Sequence, residues 1–234
     1  MPTFKHSGTL GDLIYSLPAA QALGGGTYYL RLKGGYWWTH LFGDPVLATR
    51  DLLEAQPYID AVEAWGGRPV DYDFDDYREF HSRNACRPKL LTITEVHAMV
   101  VGANLPAAPR PWLTAPPLRV PGYDVIVHCT PRYRSPYFDW RAVMDAYRSR
   151  ALFIGLPGEH EAFESANGKV EYYRPVDLYE IARLVAGCEL FVGNQSSPYA
   201  IAEGLQKQAI LEVSPEDPNC CFRRPGVLAT MVYP

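Results

Sequence analysis

The chain opens on Phe4-Lys5-His6-Ser7-Gly8-Thr9-Leu10-Gly11-Asp12-Leu13-Ile14-Tyr15-Ser16-Leu17-Pro18-Ala19-Ala20, a glycine-bearing loop that ends in one carboxylate and passes straight into an apolar helix. The two glycines let backbone N–H groups approach a ligand closely, and a helix starting near Asp12 points its positive dipole end at the same place. Such a spot suits a base facing an anionic ligand. Asp12 reads equally as an N-cap residue, the commonest reason for an Asp at a helix start. Gly24 to Gly26 then breaks the pattern, and Thr27 to Leu32 reads as a strand, which makes a strand-helix-strand unit and points to the α/β class.

The stretch from Asp177 to Leu205 repeats the theme. Leu178, Ile181, Ala182 and Val185 recur at helical spacing, Gly187 follows as a stop, and Leu190 to Val192 reads as a short buried strand. Gly193-Asn194-Gln195-Ser196-Ser197-Pro198 is a turn rich in hydroxyl and amide groups, and another helix begins at Tyr199. This is a second anion-binding geometry.

Between these segments the alternation continues. Leu47 to Ala55 and Thr92 to Val101 suit helices, and Tyr58 to Trp65 suits a strand edge; His97 reads as packed or exposed rather than catalytic. Pro106, Pro109, Pro111, Pro116, Pro117 and Pro121 mark residues 104–121 as a linker. Beyond it, strands at Tyr123 to His128, Leu152 to Ile154, Lys169 to Tyr173 and Ile210 to Val213 alternate with helices near Trp140 to Arg148, from Glu159, from Asp177 and from Tyr199. Such alternation predicts parallel sheets covered on both faces, with ligands at the carboxyl ends of the strands.

In motif and order, the Gly11-Asp12 helix entry and the 193–202 turn resemble the heptosyltransferase type of glycosyltransferase, family nine of the GT-B glycosyltransferases. In that family the Asp of the Gly-Asp pair is the proposed catalytic base, which is Asp12 here. The family's Gly-Asn-Asp-Ser/Thr-Gly-Pro-x-His-x-Ala loop holds the donor diphosphate and sugar, and Gly193, Asn194, Ser196, Pro198 and Ala202 match it. Gln195, Ser197 and Tyr199 stand where the family carries Asp, Gly and His, and a neutral amide accepts from sugar hydroxyls less well than a carboxylate.

The resemblance implies a GT-B-like α/β fold of two small Rossmann-like lobes with parallel sheets facing a central cleft. An acceptor-side lobe spans residues 1–118, a nucleotide-sugar-binding lobe 119–214, and a tail 215–234; the length is that of a short, phage-like variant. The implied activity is metal-independent, inverting transfer of a sugar from a nucleoside-diphosphate donor, a substrate rather than a cofactor, to the hydroxyl of a glycan, a small molecule or a hydroxylated DNA base. A nucleotide-binding module without transfer activity is the alternative.

On this reading Thr9, Gly11, Gly193, Asn194, Gln195, Ser196 and Ser197 hold the donor. Arg132 and Arg134 follow the apolar run Val125 to Val127, where the family places a phosphate-touching base; in an extended segment both face one side, although a solvated pair explains them as well. Gly155 and Glu159 match the family's Gly-Gly-x-x-Glu near the nucleotide, or an ordinary strand-to-helix turn. Glu203 reads as a hydroxyl ligand or a solvated helix residue.

Composition sets the remaining bounds. The chain has 234 residues, 47% of them apolar, enough for one large or two small cores, and a net charge of −4 that argues against a surface coated for nucleic acid. No apolar run reaches the roughly 18 residues of a membrane span and no leader-like segment opens the chain, so a cytoplasmic location is expected. Five cysteines without metal-ligand spacing read as free thiols, and no metal is expected. Gly34-Gly35-Tyr36-Trp37-Trp38 reads as a stacking platform or as core, and Arg78, Arg83, Arg87 and Lys89 beside the acidic run 71–76 read as a charge-mixed surface or an acceptor site.

Overall fold

The computed structural model describes residues 1–31, 44–83, 91–108, 110–216, 218–222 and 224–230; the Tyr36-Trp37-Trp38 cluster, Arg87, Lys89 and Cys86 lie outside them. The first lobe begins with β1 (Thr3–His6), α1 (Leu10–Ala22) and β2 (Gly26–Leu30), the expected unit. Two glycines make the α1–β2 turn possible. Gly25 and Gly26 have φ of 73° and 147°, and a Cβ on either would lie 2.0 Å from a backbone oxygen, that of Tyr58 or of Pro2.

α2 (Pro45–Glu54) and β3 (Ile59–Ala64) follow, then two elements the sequence reading missed, β4 (Tyr72–Asp73) and α3 (Tyr77–Arg83), and then α4 (Ile93–Val101). The sheet is parallel in the order β3-β2-β1-β4. Asp71, Asp73 and Asp75, part of the run read as a charge-mixed surface or an acceptor site, zip β4 and the turn after it to β1. Asp71 accepts from the Thr3 N–H and hydroxyl, Asp73 and Asp75 pair with Lys5 Nζ at 2.7 and 2.9 Å, and Asp75 accepts from the Ser7 N–H and hydroxyl.

The second lobe contains β5 (Val125–His128), α5 (Trp140–Tyr147), β6 (Ala151–Ile154), α6 (Pro157–Asn167), β7 (Glu171–Tyr173), α7 (Leu178–Gly187), β8 (Leu190–Asn194), α8 (Ser197–Gly204), β9 (Ala209–Glu212) and β10 (Val227–Thr230). Its six strands are parallel in the order β10-β9-β8-β5-β6-β7. β10 comes from the segment expected to be a tail, and it extends the sheet edge by pairing with β9.

α1 carries buried Leu13, Ile14 and Leu17, and it packs against both α4 of its own lobe and α8 of the second. One apolar core therefore runs through both lobes, from Phe4 and Leu17 to Tyr199 and Ile201. The other face of the large sheet has its own core around Val127, Trp140, Phe153 and Phe163. The proline-rich segment is a packed strap rather than a loose linker. Trp112 and Leu113 are buried, their N–H groups donate to Gly204 O at 3.0 and 3.1 Å, and Leu118 N–H donates to Arg183 O.

Candidate active site

α1 starts two residues earlier than Asp12. Thr9 is its N-cap and Asp12 its third residue, the two joined in a capping box. Oδ2 of Asp12 accepts from Thr9 N–H at 3.1 Å, from the Thr9 hydroxyl at 2.8 Å and from the Tyr77 hydroxyl at 2.6 Å. Burial alone would raise the carboxyl pKa. The Tyr77 bond, the nearby imidazoles of His6 and His97 and the Thr9 hydroxyl outweigh it, and the group lies below the ordinary carboxylate range. Asp12 is thus an ionised capping residue whose protein hydrogen bonds converge on one oxygen. Among the described residues, none donates to Oδ1.

Opposite it lies the 194–197 bend. Gly11 approaches so closely that a Cβ there would sit 3.9 Å from Cα and N of Ser197. Asp12, Ser196 and Ser197 line one cavity of about 410 Å³, within the ordinary size of a small-ligand site. Ser196 caps α8 without lending its hydroxyl to the helix; Oγ donates instead to Asn194 O at 3.2 Å. The start of α8 therefore faces the cavity without a side-chain cap, which favours an anion there.

Asn194 is fully buried and works from behind. Its Nδ2 donates to the carbonyls of Thr130 and Arg132, both at 2.8 Å, and its Oδ1 accepts from Thr130 N–H. It fixes the loop after β5, and with it Arg132, which lines the cavity. Gln195 also lines it, while its Oε1 accepts from Ser214 N–H at 2.6 Å. Gly193 is buried in β8, where a Cβ would come within 2.7 Å of His128 O, so its role is close packing.

Gly193 and Asn194 thus lie outside the cavity lining, and two further expected ligands are placed elsewhere. Tyr133 has φ of 58°, so residues 132–134 are not extended and the two arginines part. Arg134 turns to the buried Glu212, which accepts its Nε at 3.1 Å together with Ser135 N–H and Trp140 Nε1, both at 2.8 Å. Glu203 is buried on the interior side of α8, paired with Arg224 Nε at 2.7 Å, and does not line this cavity.

Thr9, Gly155 and Glu159 do line it. Gly155 has φ of 150°, and a Cβ there would meet Glu159 Oε2 at 2.9 Å; that oxygen accepts from Leu156 N–H at the start of α6. The carboxyl ends of β1, β5, β6 and β8 thus deliver their loops to one place, as parallel sheets do.

Behind Asp12 stand Tyr77 and His6, to which the sequence reading gave no role, with Arg78, read as part of a charge-mixed surface or an acceptor site, and His97, read as packed or exposed. Tyr77 and Arg78 open α3 and line the cavity, and Arg78 Nε donates to the Tyr77 oxygen at 3.0 Å. His6 and His97 are fully buried, with Nε2 atoms 3.2 Å apart, the His6 ring stacked on Tyr77 and the His97 ring tilted against it. Among the described residues, no group of three or more His, Cys, Asp or Glu is placed to hold a metal ion, and no helix is long and apolar enough to cross a membrane.

Neither a known protein-family profile nor a curated protein matches this sequence. The fold, however, is similar to solved structures. E. coli heptosyltransferase WaaC with ADP-2-deoxy-2-fluoro heptose aligns at 13% identity and TM-score 0.56, over 97% of this chain and 92% of that one. E. coli ADP-heptose lps heptosyltransferase II aligns at 13% identity and TM-score 0.56, over 100% and 91%. The glycosyl transferase family 9 structure from Veillonella parvula DSM 2008 aligns at 14% identity and TM-score 0.61, over 97% and 84%. At these identities the likeness establishes architecture: the chain has the two-lobed α/β fold of these glycosyltransferases.

Proposed function

We propose that the chain is an inverting, metal-independent glycosyltransferase that uses a nucleoside-diphosphate sugar. The observation that carries this reading is that the Asp12 carboxylate and the start of α8 line the same cavity. The named ligand of the similar WaaC structure, an ADP-linked fluoro heptose, supports a nucleotide-sugar donor.

The diphosphate lies against the N-terminus of α8 at Ser196 and Ser197, with Arg132 beside it and the nucleoside toward Gly155 and Glu159. The acceptor hydroxyl donates to Oδ1 of Asp12. As its oxygen bonds the anomeric carbon, the carbon–oxygen bond to phosphate breaks, the electron pair leaves with the nucleoside diphosphate, and Asp12 takes the proton. A single displacement of this kind inverts the anomeric centre. Charge grows on the leaving diphosphate, so the fixed helix terminus and Arg132 stabilise the transition state more than the ground state. The acceptor is a hydroxyl of a glycan, a small molecule or a hydroxylated DNA base; only the last makes activity steeply salt-dependent.

Titration calorimetry against a panel of nucleoside-diphosphate sugars, followed by transfer assays of the wild type and Asp12→Asn, tests this. Expected are unchanged donor affinity in the variant and a turnover lower by roughly a hundredfold or more. Full turnover in Asp12→Asn overturns the base assignment. Donor binding by the wild type with neither transfer nor donor hydrolysis identifies a binding module instead.

A further inference from the structure

We propose that Tyr77, held by Arg78, is the positioning residue of the base, occupying Oδ2 of Asp12 so that Oδ1 is presented to the acceptor. The inference rests on Asp12 acting as the base.

The direction of both hydrogen bonds at the Tyr77 oxygen is forced. Arg78 Nε can only donate, so the Tyr77 oxygen accepts from it at 3.0 Å. The single phenolic proton is then left for the ionised carboxylate, 2.6 Å away. Burial and the charge of Asp12 push the Tyr77 hydroxyl far above its ordinary range, so it stays a donor throughout the working pH range.

The ring cannot swing away. It is 5% exposed, lies 4.5 Å from the His97 ring and 5.7 Å from the His6 ring, and sits at the first position of α3. With Thr9 donating twice to the same oxygen, Oδ2 has three donors, and the carboxylate is fixed about its last torsion. The bond also outlasts the proton transfer, because Oδ2 remains an acceptor after Oδ1 is protonated.

Tyr77→Phe keeps the ring and its stacking and removes only the hydroxyl. Expected is a kcat lower by about tenfold, the scale of one charged hydrogen bond, with donor KM changed less than about twofold. The acid limb of the kcat profile rises by about one pH unit, because the carboxylate loses a donor that favours its ionised form. The Asp12 carboxyl, followed by carbon NMR in the ligand-free protein, rises in parallel. Arg78→Gln, which loosens the phenol without removing it, shifts both readouts in the same direction by less.

Wild-type kcat and wild-type acid limb in Tyr77→Phe overturn the proposal, as does a lowered kcat with both the acid limb and the NMR titration unmoved, which is the pattern of a merely structural role. If Asp12→Asn is inactive and Tyr77→Phe is unchanged, only the positioning role falls. If Asp12→Asn keeps full turnover, the base assignment and this role fall together.

Discussion

The buried histidine pair behind Asp12 makes the stability of this protein steeply pH-dependent. His97 Nδ1 lies 2.8 Å from Ile93 O and must carry a proton, whereas His6 Nδ1 accepts from Gly8 N–H at 2.9 Å and cannot. His6 therefore donates its Nε2–H to the bare Nε2 of His97, and both rings are neutral. Burial is the largest cause that lowers their pKa values, to about 4 for His6 and about 3 for His97; Asp12, and for His6 also Asp73 and Asp75, oppose it, while Arg78 and, for His97, the neighbouring imidazole reinforce it.

Both folded values lie below the unfolded one, so the unfolded chain takes up protons first, and stability falls as pH drops through about 6.5 toward the folded values. At about pH 4.5, two units below the unfolded value, each imidazole costs about 2.7 kcal/mol and the pair about 5 kcal/mol relative to neutral pH. That is comparable with the whole stability of many domains. The depressed carboxyls of Asp12 and Asp75 work in the same direction but only lower down, since their contribution is intact above the ordinary carboxylate pKa and is lost below it. Urea unfolding followed by far-ultraviolet circular dichroism at about pH 7 and about pH 4.5 measures the difference, and proton NMR assigns it to the two rings. Equal unfolding free energies at the two pH values, or either imidazole titrating near 6.5, would refute the reasoning.

Three further outcomes are expected. Asn194→Ala frees the carbonyls of Thr130 and Arg132 and lowers stability by about 1–3 kcal/mol; calorimetry also finds donor affinity weakened by about tenfold, because Arg132 loses its anchor. Glu203→Gln leaves the buried Arg224 guanidinium without a charged partner, so denaturant unfolding registers a loss of about 2–4 kcal/mol, with donor affinity unchanged in the folded fraction. Gly11→Leu places a side chain where a Cβ is already 3.9 Å from Ser197, and donor binding is lost while the fold is kept.

The parts of the site that were legible in the sequence are those that signal locally. A glycine loop running into an apolar helix marks the Gly11-Asp12 entry, and a polar turn between a buried strand and a helix marks residues 194–197. What escaped depends on pairing across distance. Tyr77 meets Asp12 over 65 residues, and nothing in the residues around Asp12 predicts it. One signal was present: Asp71, Asp73 and Asp75 alternate with Tyr72 and Phe74 at period two, the pattern of a strand, matching Thr3, Lys5 and Ser7 across the sheet. Read as a strand, that run would have placed Tyr77 at the strand's carboxyl end, beside the loop of Asp12. Arg134 and Glu203 escaped for another reason. Both find buried partners, Glu212 and Arg224, supplied by later segments, and the bend at Tyr133 that separates the arginines leaves no mark in residue type.

The most direct measurement is a crystal structure of the protein soaked with the tightest-binding nucleoside-diphosphate sugar from the panel. The expected density puts the diphosphate on the N–H groups at Ser196 and Ser197, with the anomeric carbon turned toward Oδ1 of Asp12 and room for one hydroxyl between them. A donor bound on any other surface, or a diphosphate facing away from Asp12, would contradict the proposed chemistry.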